Sequence, residues 1–396
     1  MIDRRDEVWI TGVGLLSCLG EGLEATWNFF KRGAAPPHDG ESFAPYIVHA
    51  LPPISFDKQI PKRGDQRQME MWQRVGVYVA GLALADAGLA GKPDLLDHTD
   101  MIVAAIGGER DVPVDTAILA GLRKAQKPGA FLNERLMNDL RPTLFLAQLP
   151  NLLAGNISLV HGVVGSSRTL LGEESAGVDA VRIAHARVAA AQSEVTLVGA
   201  ASHGARWDHL LDFELGGAPL RDAFAPVWDR GPRGGIAYGT LGAFLVFESP
   251  DHARARGARP RARIGPVLSD RCGRQDGDIE ATLRRQWQGL AAHVEASRAA
   301  VISGASGAEP ATAAERRALG EFGLPVRNTG TYTGHAVEAQ FAANLAIACA
   351  LLEHGGLFAA TGSGDRGECP PTLSQLVVTG VGAWRGEGLA LLERPD

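Results

Sequence analysis

The feature that most constrains this chain is an alternation. Short runs rich in β-branched residues, each closing near a glycine, are separated by longer alanine-rich stretches with helical spacing. β-branched side chains suit a pleated sheet and alanine suits a helix, so the pattern predicts an α/β architecture. The predicted strands are Val8 to Thr11, Met101 to Ala105, Val195 to Val198, Leu241 to Phe247, Ala299 to Ile302 and Leu376 to Thr379. Between the first two, Met71 to Leu89 places Trp72, Val75, Val79 and Leu82 at helical spacing. Gly76, Ala80 and Ala83 leave room on that helix for the close approach of another element. The helix should therefore pack inside.

Composition narrows the function. Lys plus Arg (39) against Asp plus Glu (45) leaves a net charge of −6, which argues against a chain that neutralises phosphate, so nucleic acid is not an expected partner. Apolar residues at 45% and charged residues at 21% fit a folded globular chain. Cys18, Cys272, Cys349 and Cys369 form no CxxC pair, so neither a metal site nor a disulfide frame is expected. The N-terminus lacks a signal peptide's long apolar middle, and the longest apolar stretch, Phe341 to Leu352, is too short to span a bilayer. A soluble, cytoplasmic protein is expected.

Three segments interrupt the alternation: Ala34 to Pro61, Leu215 to Gly235 and the arginine-rich His252 to Gly265. The last divides the chain into 1–258 and 259–396, and its arginines read as a solvated connector. Thr11 to Gly14 and Thr379 to Gly382 both spell TGVG, too little to establish a duplication. The sequence contains no GxSxG elbow, Walker loop, HExxH or GxGxxG opening a helix. The most informative segment runs from Leu149 to Ala191, whose second half reads as a helix beginning close to Glu174 and apolar on one side as far as Val188.

At these residues the chain resembles the β-ketoacyl-acyl-carrier-protein synthases, the thiolase-fold condensing enzymes of fatty acid and polyketide synthesis. The likeness is carried by ITGVGLLSCLGEGLEATWNFFKRG (Ile10 to Gly33), ALADAGL (Ala83 to Leu89), LPNLLAGNIS (Leu149 to Ser158) and TGVGAW (Thr379 to Trp384), in that order. It implies a five-layered αβαβα fold of two similar halves and an obligate dimer. It also implies a cysteine nucleophile at a buried helix N-terminus, two histidines, an active-site lysine, a Gly-Phe-Gly gate beside the oxyanion position, and no cofactor beyond the phosphopantetheine arm of acyl carrier protein.

Carried onto this sequence, the nucleophile position falls on Glu174, nine residues after Gly165, and the first histidine position on Ser306. The second histidine is kept as His335 within TYTGHAVEA, the lysine position is Gly330, and the gate reads Gly380, Val381, Gly382. A carboxylate is a poor acyl acceptor, because an anhydride is far more labile than a thioester. At a helix N-terminus it is instead favoured by about 0.3–1 kcal/mol. Glu174 therefore reads as a structural cap or as a mimic of an acylated or ionised cysteine, with Ser175 as a displaced nucleophile left open. His335 reads as a retained acid or as a satisfied core residue, and the four cysteines as inert thiols.

The resemblance extends to chain-length-factor subunits, which lack the cysteine and pair with an active ketosynthase. It extends also to the second ketosynthase of rhizobial clusters that make very-long-chain acyl groups for lipid A, most distinctively through PKRGDQRQMEMWQR (Pro61 to Arg74). That stretch reads as a solvated loop entering a helix or as a contact with partner or carrier. The expectation is a non-catalytic subunit of a heterodimeric synthase. The alternatives are a self-sufficient decarboxylase or acyltransferase using His335 and Glu174, and a module that binds acyl carrier protein.

Overall fold

A computed structural model describes residues 7–395. Its ten main strands are β1 (Val8–Ser17), β2 (Thr99–Ala104), β3 (Ser167–Leu170), β4 (Val195–His203), β5 (Tyr238–Glu248), β6 (Ala262–Asp270), β7 (Ala299–Ser303), β8 (Val326–Asn328), β9 (Gln375–Val381) and β10 (Glu387–Glu393). The helices that matter are α1 (Met71–Asp86), α2 (Leu152–His161), α3 (Glu173–Ala189), α4 (Trp207–Glu214), α5 (Asp278–Leu290), α6 (Ala311–Phe322) and α7 (Gln340–His354). The predicted strands are all present, and several are longer than the β-branched runs that signal them, because small residues such as Gly12 and Gly14 continue the pairing.

The strands lie in the order β8-β7-β9-β10-β6-β1-β5-β4-β2-β3. Read outward from the β1–β6 contact, each half repeats the same scheme. β1 pairs antiparallel with β5, and β5 with β4, while β4, β2 and β3 are parallel. Correspondingly, β6, β10 and β9 are antiparallel neighbours and β9, β7 and β8 are parallel. The helices fall into the same slots: α1, α2 and α3 in the first half, α5, α6 and α7 in the second. The two TGVG segments lie on β1 and β9, which are not equivalent strands, so that repeat has no part in the symmetry.

Alternate side chains of each strand face opposite layers, which produces three separate cores. Met101, Val103, Leu197 and Phe244 meet Trp72, Val79, Leu153 and Ile157 of α1 and α2. Ile102, Val198, Ile302 and Val378 face the middle, where Val178, Val181, Leu345 and Ile347 of α3 and α7 lie. Val301, Val377 and Leu389 meet Leu283 and Leu319 of α5 and α6. Helices, sheet, helices, sheet, helices: this is the five-layered thiolase-like arrangement. α1 approaches β1 closely because Gly12 and Gly14 carry no side chain; a Cβ on Gly14 would stand 1.9 Å from the Val79 carbonyl oxygen.

The arginine-rich segment is not a solvated connector. Arg256 binds the fully buried carboxylate of Glu248 through both Nε and a terminal nitrogen at 2.6 Å, and also the Ala87 carbonyl at 2.7 Å. Arg261 pairs with Asp86 and Glu353, and Arg263 with Glu393. Acids from both halves, Glu248 and Glu393 buried and Asp86 and Glu353 partly exposed, converge where the segment crosses from one to the other, and the arginines pair with them.

Candidate functional site

β3 ends one residue before Leu171, and the chain then turns sharply into α3. Gly172 has φ 141° and Glu173 has φ 51°, a left-handed conformation that a non-glycine residue adopts at a cost. The turn aims the first residues of α3 into the middle layer, so that the polar side chain of Glu174 is buried. Its neighbour Glu173 stays outside and forms an ion pair with Arg385 at 2.8 Å.

The Glu174 carboxylate is held by two groups. Oε1 lies 2.9 Å from His335 Nε2 and accepts a hydrogen bond of 3.4 Å from the Ala383 backbone N–H. His335 is fixed by its backbone, whose N–H donates to the Ala237 carbonyl at 2.8 Å and whose carbonyl accepts from Gly239 at 2.9 Å. Glu174 Oε2 has no hydrogen-bond partner and lies 3.2 Å from where a Cβ on Gly382 would stand. Gly382, just past the end of β9, thus brings backbone against the carboxylate, while Gly380 and Val381 remain in the strand and Val381 packs into the core beside α5 and α6; the side chains of His335 and Glu174 are 2% and 5% exposed.

More polar groups surround the pair than the sequence announced. Glu338 is buried beside the start of α3, and burial, reinforced by the Glu174 and Glu173 carboxyls, pushes its carboxyl up to about 8. The Tyr238 hydroxyl is raised well above its usual range by burial and by the same two acids, Glu174 and Glu338, while His209 is lowered well below its usual value, chiefly by burial. Tyr238, His209 and Phe213 form one aromatic cluster, with Phe213 stacked on Trp384 at 5.4 Å. These rings separate the pair from solvent on that side. An acidic residue three positions after His335 in an otherwise apolar stretch was a readable signal for Glu338; Tyr238 and His209 had none.

Residues 5–226 match the family model described as beta-ketoacyl synthase, N-terminal domain. The chain belongs to the beta-ketoacyl synthase family. It is 24% identical to 3-oxoacyl-(acyl-carrier-protein) synthase 2 of Vibrio harveyi over 361 residues, 84% of this chain and 82% of that one. It is 25% identical to the oxytetracycline polyketide putative beta-ketoacyl synthase 1 of Streptomyces rimosus over 376 residues, 88% and 85% of the two chains. Among solved structures, the ishigamide ketosynthase/chain length factor superposes with a TM-score of 0.77 at 20% identity over 98% of this chain and 99% of that one. At that identity the likeness speaks for the fold.

The other positions carried over from the family have neighbours of their own. Ser306 is buried, its Oγ accepting from the Ala308 N–H at 3.2 Å and its carbonyl accepting from Arg230 at 2.9 Å. A Cβ on Gly330 would meet the Ala305 carbonyl, Asn328 and Val227, so the position faces packed chain. Ser175 donates its hydroxyl proton to the Gly172 carbonyl at 2.6 Å, closing the helix start.

Cys18 has a histidine close by, since His49 Nδ1 lies 4.0 Å from its sulfur. Burial pushes the thiol up to about 12 and His49 down to about 3, so neither is charged near neutrality. Cys349 is fully buried and its thiol is likewise raised by burial. Among the described residues no helix is long and apolar enough to cross a membrane, and no group of three or more His, Cys, Asp and Glu could hold a metal ion.

Proposed function

We propose that this chain is a non-catalytic, chain-length-factor-like subunit of a heterodimeric β-ketoacyl-acyl-carrier-protein synthase, acting in the cytoplasm on acyl chains carried by the phosphopantetheine arm of acyl carrier protein. The observation that carries the reading is the Glu174 carboxylate itself. It occupies the helix N-terminus where the family resemblance places a thiol, and it takes up both the His335 imidazole and the Ala383 amide. An acyl group has no sulfur to rest on here, and His335 Nε2 and the Ala383 N–H already serve a carboxyl group of the chain itself.

The surface fits a subunit. Leu119, Met137, Phe145, Leu159, Val164 and Leu171 are more than half exposed, and they belong to the part of the chain leading up to and around the open edge of β3. So much apolar surface suits a protein partner. Lys62, Arg63 and Arg67, on the exposed helix Arg63–Gln68, form a basic patch suited to the phosphate-bearing carrier.

The test is to purify the chain alone and together with an intact ketosynthase, supply malonyl- and acyl-carrier protein, and measure carbon dioxide release and covalent acylation by mass spectrometry. The expected result is silence from the isolated chain and chain elongation by a one-to-one complex. Carbon dioxide released by the isolated chain would favour the alternative in which Glu174 and His335 decarboxylate by themselves. Carrier binding without any ketosynthase partner would favour a carrier-binding module.

A further inference from the structure

The open edge of β3 carries information about which partner can sit there. β3 pairs with β2 on one side and with nothing on the other. The Met101 N–H donates to the Ser166 carbonyl at 2.8 Å and the Ala105 N–H to the Leu170 carbonyl at 3.0 Å. By the alternation of a parallel ladder, Ser166, Arg168 and Leu170 direct their backbone groups inward, and Ser167 and Thr169 leave theirs on the edge. Arg168 is exposed and makes no ion pair among the described residues.

Consider a second copy of this chain added antiparallel across a two-fold axis. Residues facing each other in such a ladder are both hydrogen-bonded or both not, so every symmetric register is centred on one residue opposite itself. Within β3 the centre is Ser167, Arg168 or Thr169. The first choice sets Arg168 opposite Ser166 of the copy, the last opposite Leu170, and the middle one opposite Arg168 itself. Directly opposed residues point to the same face of the sheet, so all three put both guanidinium groups on one face, no further apart than diagonal neighbours. Arg168 shares its face with Ile102, which lies on the middle-layer side. Two cations brought this close across the edge repel each other, and like charges directly opposed in a ladder destabilise it.

We infer that Arg168 disfavours pairing of this chain with itself and selects a ketosynthase-fold partner bearing a carboxylate at the facing position of its own edge strand. The inference rests on the subunit reading above and names the feature that enforces it. It treats the edge as competent for pairing in every respect except this charge.

The experiment needs only this chain. Sedimentation velocity on the purified wild type is compared with Arg168→Thr and Arg168→Glu at low salt and at high salt, with melting temperature as the check on folding. The wild type is expected to sediment as a monomer at low salt, to associate more in high salt, and to gain at least tenfold in self-association on Arg168→Thr. Wild type mixed with the Arg168→Glu variant is expected to give a mixed dimer, seen by native mass spectrometry, that neither forms alone. A stable wild-type homodimer at low salt overturns the inference. So does a wild type indifferent to salt together with an Arg168→Thr variant and a mixture that stay monomeric. Neither result touches the assay for catalytic silence, so the subunit reading can survive the loss of this one.

Discussion

His335 Nε2 stands 2.9 Å from Glu174 Oε1, and the second oxygen of that carboxylate rests against the backbone of Gly382. The imidazole is therefore engaged by an anion belonging to the same chain, and its other nitrogen, Nδ1, is buried without a hydrogen-bond partner. A histidine so placed holds α3 to the segment before α7 and to the turn after β9. That linkage makes Glu174 first of all a structural residue, with measurable consequences.

Replacing Glu174 with alanine removes the acceptor for His335 and for the Ala383 amide and leaves a gap at the start of α3. The cost expected in urea unfolding is about 3 kcal/mol, the scale for breaking a buried hydrogen-bonded pair. Glu174→Gln keeps an acceptor oxygen of the same shape and should cost about 1 kcal/mol. Equal effects of the two substitutions would show that the carboxylate is not tied as described.

Glu338 gives stability a pH dependence of unusual sign. Its folded-state carboxyl is raised to about 8 from an ordinary value near 4.5, so the folded chain holds the proton more tightly than the unfolded one. This contribution is complete below about pH 4.5 and is lost as pH rises through about 8. The groups around it are the Glu173 and Glu174 carboxyls and the Tyr238 phenol, and Glu173 is itself paired with Arg385. Glu338→Gln should flatten the decline in melting temperature between pH 5 and pH 9 and be more stable than wild type at the alkaline end. An unchanged slope would mean that Glu338 ionises freely.

Much of this was legible in the sequence, and the illegible part has a common cause. The start of α3 could be placed because glycine and a carboxylate precede an apolar periodicity, and His335 because Thr-Gly-His stands out from its surroundings. The duplication was expected from the family resemblance and could not be read from the residues themselves, because it is written in strand order; its one apparent sequence echo, TGVG, falls on the non-equivalent strands β1 and β9. The arginine run was misread because only the fold shows which acids are buried beside it: Glu248 is eight residues from Arg256 but fully buried, and Asp86 is 175 residues from Arg261. Tyr238 and His209 gave no signal because a buried polar side chain answers to neighbours that only the fold supplies.

Gly177 marks how closely the two central helices are joined. A Cβ at this position in α3 would stand 2.3 Å from the Glu338 backbone oxygen, and Val337 already has φ 46°, a strained conformation for a β-branched residue. Gly177→Ala should therefore push the segment before α7 away from α3, costing about 1–3 kcal/mol despite alanine's better helix propensity. The same displacement should loosen His335, read as faster hydrogen exchange at the Gly239 amide, which donates to the His335 carbonyl. A variant as stable as wild type would mean that the turn yields without cost.

Arg256 tests the seam between the halves. Burial alone would raise the Glu248 carboxyl, but hydrogen bonds from Arg256, Thr11 and His252 together hold it below its ordinary value. The stability this supplies is present above about pH 4.5 and is lost as pH falls through the lower folded-state value, the opposite direction to Glu338. Arg256→Ala leaves a buried carboxylate without its bidentate partner, for a loss of about 3–5 kcal/mol at neutral pH. Arg256→Lys restores the charge but not the paired geometry, and should recover only part of the loss. Because removing the arginine lets Glu248 titrate closer to its ordinary value, the acid limb of the stability curve should also shift toward higher pH in the alanine variant. A loss under 1 kcal/mol, with the acid limb in its wild-type place, would show that the seam does not depend on this arginine.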